Sequence, residues 1–137
     1  MDPLELLRAR IAGFPGYDGD VERRRSDEFV RSYLGEALAD LEVRCGVLSL
    51  EVKQRIDALL LRAGFADQRL FSNHHGIAAL RAIAGDGGSV AAEDAAVVDV
   101  ADQAGGIDPG AVEGYLDEVA ATLDRRDAAM RAAASNA

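Results

Sequence analysis

The sequence has one cysteine, no tryptophan and only 5% aromatic residues. A single cysteine, Cys45, cannot form a disulfide within the chain, so a small disulfide-bonded scaffold is excluded. No run of about eighteen apolar residues occurs, so no membrane-spanning helix is predicted. The first residues, Met1 to Glu5, are acidic where a signal peptide is basic and then apolar. These absences together predict a cytoplasmic protein.

Basic residues are scarce in the second half of the chain. The net charge is −9 at pH 7, and residues 82–137 contain 11 acidic but only 3 basic side chains. From Asp86 to Asp124 there are ten carboxylates and no lysine or arginine. This balance argues against a nucleic-acid partner, because phosphate contacts need a basic surface. Such a block repels itself, binds cations, meets a basic partner or forms a solvated acidic face.

Helical patterns dominate what is present, and no segment shows the period-two alternation of a strand. With 49% hydrophobic residues, the chain can bury a core. Capping residues mark the predicted helix starts, which are Asp2, Asp20 or Ser26, Ser49 and Asp108. Glycines mark predicted helix ends at Gly46 and Gly64. We therefore predict an all-α fold, a compact bundle of five or six short helices with mostly antiparallel neighbours.

The length is that of one domain, and we assign residues 1–131 to a single all-helical domain. A fourth helical stretch is predicted over residues 67–83 and a fifth over residues 90–104. The last helix should bury one stripe, formed by Val112, Tyr115, Leu116, Val119 and Leu123. Residues 132–137 have nothing to bury, so we expect this tail to fray.

Three short features are weaker candidates for chemistry. Cys45 follows Arg44, and a cationic neighbour is one requirement of a reactive thiolate, but we favour a buried cysteine at a helix end. The pair His74-His75 lacks the i, i+4 spacing of a helical zinc site, and its role stays open. The run Arg23-Arg24-Arg25 is predicted to pair with Glu22, Asp27 and Glu28 rather than with nucleic acid.

The turn Asp86-Gly87-Gly88-Ser89 is the strongest candidate for a cation site. Asp86 lies in the turn and Glu93 follows early in the next helix, with Asp94 as a further candidate ligand. Calcium and magnesium prefer oxygen ligands from carboxylates, carbonyls and water, although the spacing is not that of an EF-hand. The alternative is that Asp86 only closes the turn, while Glu93 and Asp94 complement the positive helix N-terminus.

The residues around this turn follow a wider pattern, which consists of Gly76-Ile77-Ala78-Ala79, Asp86-Gly87, Glu93, Val97, Val100, Ala101 and Gly106-Ile107-Asp108-Pro109. In this pattern, residues 76–109 resemble the tellurite-resistance TerB family. The resemblance implies an all-helical fold and divalent-cation binding through acidic turns, here by Asp86 and Glu93. It also implies a link to bacterial stress responses and to complexes at the inner membrane surface.

We therefore expect a non-enzymatic helical domain that binds a divalent cation, calcium or magnesium, through Asp86, Glu93 and Asp94. No catalytic residue is predicted. Asp99 and Asp102 share one helix face at i, i+3 spacing, but no nucleophile or acid–base partner accompanies them.

The alternative is a homo-oligomeric scaffold or adaptor whose acidic C-terminal helices dock a protein partner without metal. Glu113, Asp117 and Asp124 are the residues predicted to bind that partner. The sequence also leaves open a peripheral association with a membrane surface.

Overall fold

A computed structural model of the chain describes residues 1–72 and 81–135. These residues form five α-helices and no strand, so the predicted all-α bundle is confirmed. The helices are α1 (Pro3–Arg10), α2 (Asp20–Cys45), α3 (Leu50–Ser72), α4 (Gly88–Gln103) and α5 (Val112–Ser135), with short 3-10 helices at Ala104–Gly106 and Pro109–Ala111. Helices α2, α3 and α5 have 26, 23 and 24 residues, longer than the short helices expected. Within the described ranges, no helix has the length and apolar character needed to cross a membrane.

Capping side chains set several helix ends. The Glu5 amide donates to Oδ1 of Asp2 at 2.9 Å, which begins α1. The Val52 amide donates to the Ser49 hydroxyl at 3.2 Å, which begins α3. Helix α2 ends at Gly46, whose φ of 62° is accessible to glycine at little cost. These three predicted boundaries are confirmed.

A predicted helix end differs from the structure. Gly64 does not end a helix, because α3 continues to Ser72. Burial of the apolar face of α3 against α2 and α5 outweighs the roughly 1 kcal/mol that a glycine costs inside a helix. Helix α5 reaches Ser135, and fraying of residues 132–137 stays a prediction. The predicted stretch 67–83 overlaps the end of α3, and the part from 73 to 80, with the His74-His75 pair, lies outside the described residues.

One hydrophobic core takes buried residues from all five helices. Helix α2 packs on α3 and α4, while α4 packs on α1 and α5. All five residues predicted for the inner face of α5 are buried, which confirms that stripe. Cys45 is buried at the end of α2, as favoured. The long helices therefore bring the acidic second half of the chain against arginines from the first half.

Candidate functional site

The turn before α4 is held by contacts within the chain. Oδ1 of the exposed Asp86 accepts a hydrogen bond from the Gly88 amide at 2.9 Å. Gly87 has a φ of 88°, and a Cβ there would lie 2.7 Å from ring carbons of Tyr17. A larger residue at Gly87 is therefore disfavoured both by its backbone conformation and by the close approach of the tyrosine. This geometry explains the Asp-Gly pair as a turn that lets Tyr17 pack beneath it.

The two other predicted cation ligands face arginines. The Glu93 carboxylate lies 4.0 Å from Nε of Arg125. Asp94 is 1% exposed, and its oxygens accept hydrogen bonds from the Tyr17 hydroxyl at 2.6 Å and from Nε of Arg126 at 2.5 Å. A cation bound to Asp94 would lie beside a guanidinium, and like charges repel. The structure therefore favours an internal ion pair over a ligand role for Asp94.

Asp86 instead shares a cavity with the N-terminus of the chain. Asp2, Pro3 and Leu4 line this cavity of about 240 Å³ together with Asp86 and Gly88. Across residues 1–72 and 81–135, no three His, Cys, Asp or Glu side chains come together as a metal site. Two carboxylates, those of Asp2 and Asp86, are thus the acidic groups available here.

A buried charge cluster, Asp27–Arg31–Asp94–Arg126, joins α2, α4 and α5. Arg126 donates to Asp94 and also, through Nη2, to Asp27. Nε of Arg31 lies 3.1 Å from both oxygens of Asp27, and its Nη1 donates to the Arg62 carbonyl at 3.2 Å. The four side chains are between 1% and 8% exposed. Within this cluster, two carboxylates balance two guanidiniums.

The contacts of the cluster shift the pKa values of Asp27, Arg126 and the neighbouring Tyr17. Burial favours the neutral form of Asp27, but the guanidiniums of Arg126 and Arg31 outweigh it and hold the Asp27 pKa below its usual value. Burial alone would lower the pKa of Arg126, yet Asp94 and Asp27 raise it above its usual value. Burial and the neighbouring Asp94 raise the pKa of Tyr17, so its hydroxyl stays a donor. Asp27 and Arg126 are therefore both charged at neutral pH.

Of the acidic residues expected to pair with the run Arg23-Arg24-Arg25, Asp27 faces Arg31 and Arg126 instead. Arg23 of the run forms an ion pair with another nearby residue, Asp20, at 3.4 Å. Nε of Arg23 donates to the Tyr17 carbonyl at 2.8 Å, which fixes the loop before α2. The i, i+4 spacing of Asp27 and Arg31 was readable from the sequence. Asp27 and Arg126 are 99 residues apart, and no local pattern indicates that they meet.

The predicted partner-binding residues lie on α5, and two of the three face α3. Asp117 forms an ion pair with Arg55 at 2.6 Å. Asp124 forms one with Arg62 at 2.9 Å, and both aspartate side chains remain more than 70% exposed. Glu113 is exposed and makes no ion pair with a described residue. Arginines of α3 thus neutralise part of the acidic surface from within.

Asp99 and Asp102 also differ in their surroundings. Asp102 accepts hydrogen bonds from Arg10 and from the Tyr33 hydroxyl, so a bridge links α1, α2 and α4. The hydrogen bond between the Tyr33 hydroxyl and Asp102, together with burial, raises the pKa of Tyr33. Asp99 is exposed on α4. The two carboxylates thus have separate environments.

Two cavities adjoin along one face of α2. The first, of about 280 Å³, lies between α2 and the end of α4 and includes Glu36, Asp40 and Asp102 in its wall. The second, of about 200 Å³, lies between α2 and the residues that follow α1. Tyr33 and Glu36 line both, so the cavities form one groove, which we call the α2 groove. The sequence offered a partial signal, since Glu36 and Asp40 are one helical turn apart.

Comparison with known proteins identifies no relative of this chain. No protein-family model matches the chain, no curated protein matches it, and no solved structure matches it. Functional inference therefore depends on the residues and geometry described above.

Proposed function

We propose that this protein is a non-enzymatic docking domain whose acidic C-terminal helices bind a basic segment of another protein. The observation that supports it is the charge that remains after internal ion pairs are formed. Four exposed carboxylates of α4, α5 and their connection have no ion-pair partner among the described residues: Asp99, Asp108, Glu113 and Glu118.

These carboxylates lie in a segment without basic residues. No lysine or arginine occurs between Asp86 and Asp124, so positive charge reaches this segment only from other parts of the chain. An acidic surface of this kind attracts basic partners over distances near the Debye length and accelerates association. The interaction would weaken as salt is added.

A second copy of the chain is a poorer partner for this surface. In a two-fold symmetric interface the same patch appears on both subunits. An acidic patch on one copy would then face an equally acidic patch on the other. We therefore propose a basic protein of a different sequence.

Affinity capture from cells of the source organism tests the proposal. We expect the wild-type chain to retain a protein that elutes as the salt concentration rises, because the contact is electrostatic. Glu113→Arg and Glu118→Arg should lose this protein. The matched control is Glu51→Arg, which makes the same charge change at an exposed site on α3. Equal retention by Glu113→Arg, Glu118→Arg and wild type would contradict the proposal.

Asp117→Arg and Asp124→Arg belong in the same experiment as a second set. They should also weaken capture, but they break ion pairs with Arg55 and Arg62 as well. Their thermal unfolding must therefore be compared with wild type before a loss of capture is attributed to the contact surface.

Binding of a divalent cation near Asp86 is a second candidate function. The observation that favours it is the cavity in which Asp2 and Asp86 both take part. Carboxylate oxygens suit calcium or magnesium, with water completing the coordination. Asp94 has no part in this version of the site, since it is paired with Arg126.

Thermal unfolding of chelator-treated protein, with and without calcium or magnesium, tests this candidate. A cation at about 100 times its dissociation constant adds roughly 2.7 kcal/mol to the free energy of unfolding. We expect the increase to disappear in Asp86→Asn, while Asp57→Asn on α3 keeps it. An unchanged melting temperature with every ion would reject cation binding.

A further inference from the structure

The α2 groove combines two kinds of surface along a single helix. Its lining runs from Phe29 to Arg44, which corresponds to about 22 Å of helix at 1.5 Å per residue. At one end the wall is acidic, and at the other it is mostly apolar. Each cavity is smaller than the sites that enclose a drug-sized ligand, so each suits a single side chain.

The acidic end has carboxylates without internal partners. Glu36 and Asp40 are exposed, and neither makes a hydrogen bond or ion pair with a described residue. Two like charges one turn apart on a helix repel each other, and a cationic group between them would relieve this repulsion. Asp102 already forms an ion pair with Arg10. The uncompensated negative charge at this end of the groove therefore lies on Glu36 and Asp40.

Arg44 does not neutralise this end, although it lies one turn beyond Asp40. Its guanidinium donates instead to the backbone carbonyls of Ala104 and, at 3.0 Å, of Ile107. These bonds hold the 3-10 helix that forms one side of the cavity. The arginine thus builds the wall of the groove and leaves the carboxylates available.

The floor of the acidic end fits a side chain with an aliphatic stem. Ala37, Leu41 and Ala101 supply apolar surface between the carboxylates. Lysine and arginine bury their methylene groups on such surface and keep the charged head at a polar edge. A neutral or acidic side chain would leave Glu36 and Asp40 unpaired.

The other end of the groove is suited to an apolar side chain. Ile11, Ala12 and Phe29 form half of its lining, and the other half consists of Ser32, Tyr33 and Glu36. Tyr33 lies between the two ends and is shared by both. A simple polyamine would use the acidic end alone, whereas a peptide can supply both kinds of side chain.

We propose that the α2 groove binds a peptide segment of the partner protein that places a lysine or arginine between Glu36 and Asp40 and an apolar side chain against Phe29. This inference rests on the proposed docking function and identifies where its specificity lies. The acidic surface around Glu113 attracts the partner, and the α2 groove selects it.

The test is amide chemical-shift mapping of the full, isotopically labelled chain. The probe is a short blocked alanine peptide with one leucine and one arginine at variable spacing. We expect shifts in residues 29–44 and 101–105. Replacing the arginine by citrulline, which is similar in shape but neutral, should abolish binding, and replacing the leucine by alanine should weaken it several-fold.

Variants of the protein provide the second arm. Glu36→Gln with Asp40→Asn should bind the arginine peptide about tenfold more weakly, as expected for the loss of two exposed charge contacts. The control, Glu51→Gln with Asp57→Asn, makes the same charge change on α3 and should bind like wild type. Three results would overturn the assignment of the groove. They are equal weakening in the two double variants, equal binding of the citrulline and arginine peptides, and no detectable binding of the arginine peptide.

The outcomes separate this inference from the proposed function. Peptide shifts confined to the region of Glu113 and Glu118 would overturn the α2 groove and leave the docking function intact. Failure of the docking function appears instead in affinity capture, as retention that is insensitive to Glu113→Arg and Glu118→Arg.

Discussion

Aspartate–arginine pairs hold α5 in two regions of the molecule, and the regions differ in their access to water. In the interior, Arg126 is 2% exposed and contacts Asp27 and Asp94. At the surface, Arg55 contacts Asp117, whose side chain is 74% exposed. Water screens the surface pair, while the buried pair has a large desolvation penalty and a strong attraction. Aspartate–arginine pairs therefore contribute differently to stability in the interior and at the surface.

The difference extends to what each pair specifies. Arg126 of α5 reaches α2 through Asp27 and α4 through Asp94, so its hydrogen bonds fix three helices at once. The pair of Arg55 and Asp117 links only α3 and α5, and water can replace either partner. The buried cluster thus fixes the relative positions of α2, α4 and α5. The surface pairs mainly neutralise carboxylates of α5.

The largest expected effect comes from removing the central guanidinium. Arg126→Met leaves Asp27 and Asp94 as buried carboxylates with one positive neighbour between them. Loss of one member of a buried ion pair lowers the free energy of unfolding by about 3–5 kcal/mol. Urea unfolding of Arg126→Met measures this change, and Arg62→Met at the surface is the control, with a loss below about 2 kcal/mol.

Similar losses in these two variants would mean that burial does not distinguish the two regions. If Arg126→Met does not fold, Asp94→Asn keeps the comparison open. It retains an oxygen that can accept from Arg126 or from Tyr17, and it should still lower the free energy of unfolding more than Asp124→Asn does.

A change of pH is the next test of the buried region. The pKa of Asp27 is lower in the folded protein than in the unfolded chain, because Arg126 and Arg31 favour its charged form. The resulting stabilisation is complete above the unfolded pKa of about 3.9, and it is lost as pH falls through the folded pKa. Asp27→Asn should lower the free energy of unfolding by about 2 kcal/mol at neutral pH.

Urea unfolding at a series of pH values measures this dependence. We expect the gap between wild type and Asp27→Asn to narrow below about pH 4, because Asp27 of the unfolded chain takes up a proton there while Asp27 of the folded protein stays charged. A gap that stays constant down to the acid limit of folding would show that the charge of Asp27 contributes little.

The helical architecture was predictable, whereas the cluster was not. Capping residues such as Asp2 and Ser49, and the apolar stripe of α5, depend on neighbours within a few positions, so local patterns reveal them. The predicted helix end at Gly64 was wrong because it also relied on a local pattern. Packing of α3 against other helices overcomes the tendency of glycine to end a helix. Asp94 lies 32 residues from Arg126, and only the tertiary fold shows that its charge is used internally.

A third test compares two tyrosines that donate buried hydrogen bonds. Tyr17 donates to the Asp94 carboxylate, and Tyr115 donates to the Val100 carbonyl. Bonds to charged acceptors contribute about 1.5–3 kcal/mol and neutral ones about 0.5–1.5. Tyr17→Phe should therefore lower the free energy of unfolding by about 1 kcal/mol more than Tyr115→Phe does, measured in urea. Equal losses would show that Asp94 is adequately held by Arg126 alone.

The candidate site was partly predictable as well. Composition revealed the acidic block between Asp86 and Asp124, but it could not reveal that Arg10, Arg55 and Arg62 neutralise members of it from distant helices. The block therefore suggested a stronger cation-binding surface than the fold presents. Glu36 lies outside the block, and its importance emerges only when α2 packs against the end of α4.

The smallest expected effect belongs to the surface pair, and it completes the comparison. A double-mutant cycle with Arg55→Ala and Asp117→Ala should give a coupling free energy of about 0.2–1 kcal/mol, since both side chains remain hydrated. The coupling should decline as sodium chloride is raised, because salt screens exposed charges. A cycle with Arg31→Ala and Asp27→Ala should keep most of its coupling in the same salt. If both coupling free energies decline equally, water and salt screen the interior cluster as well. The buried and surface ion pairs would then not differ in kind.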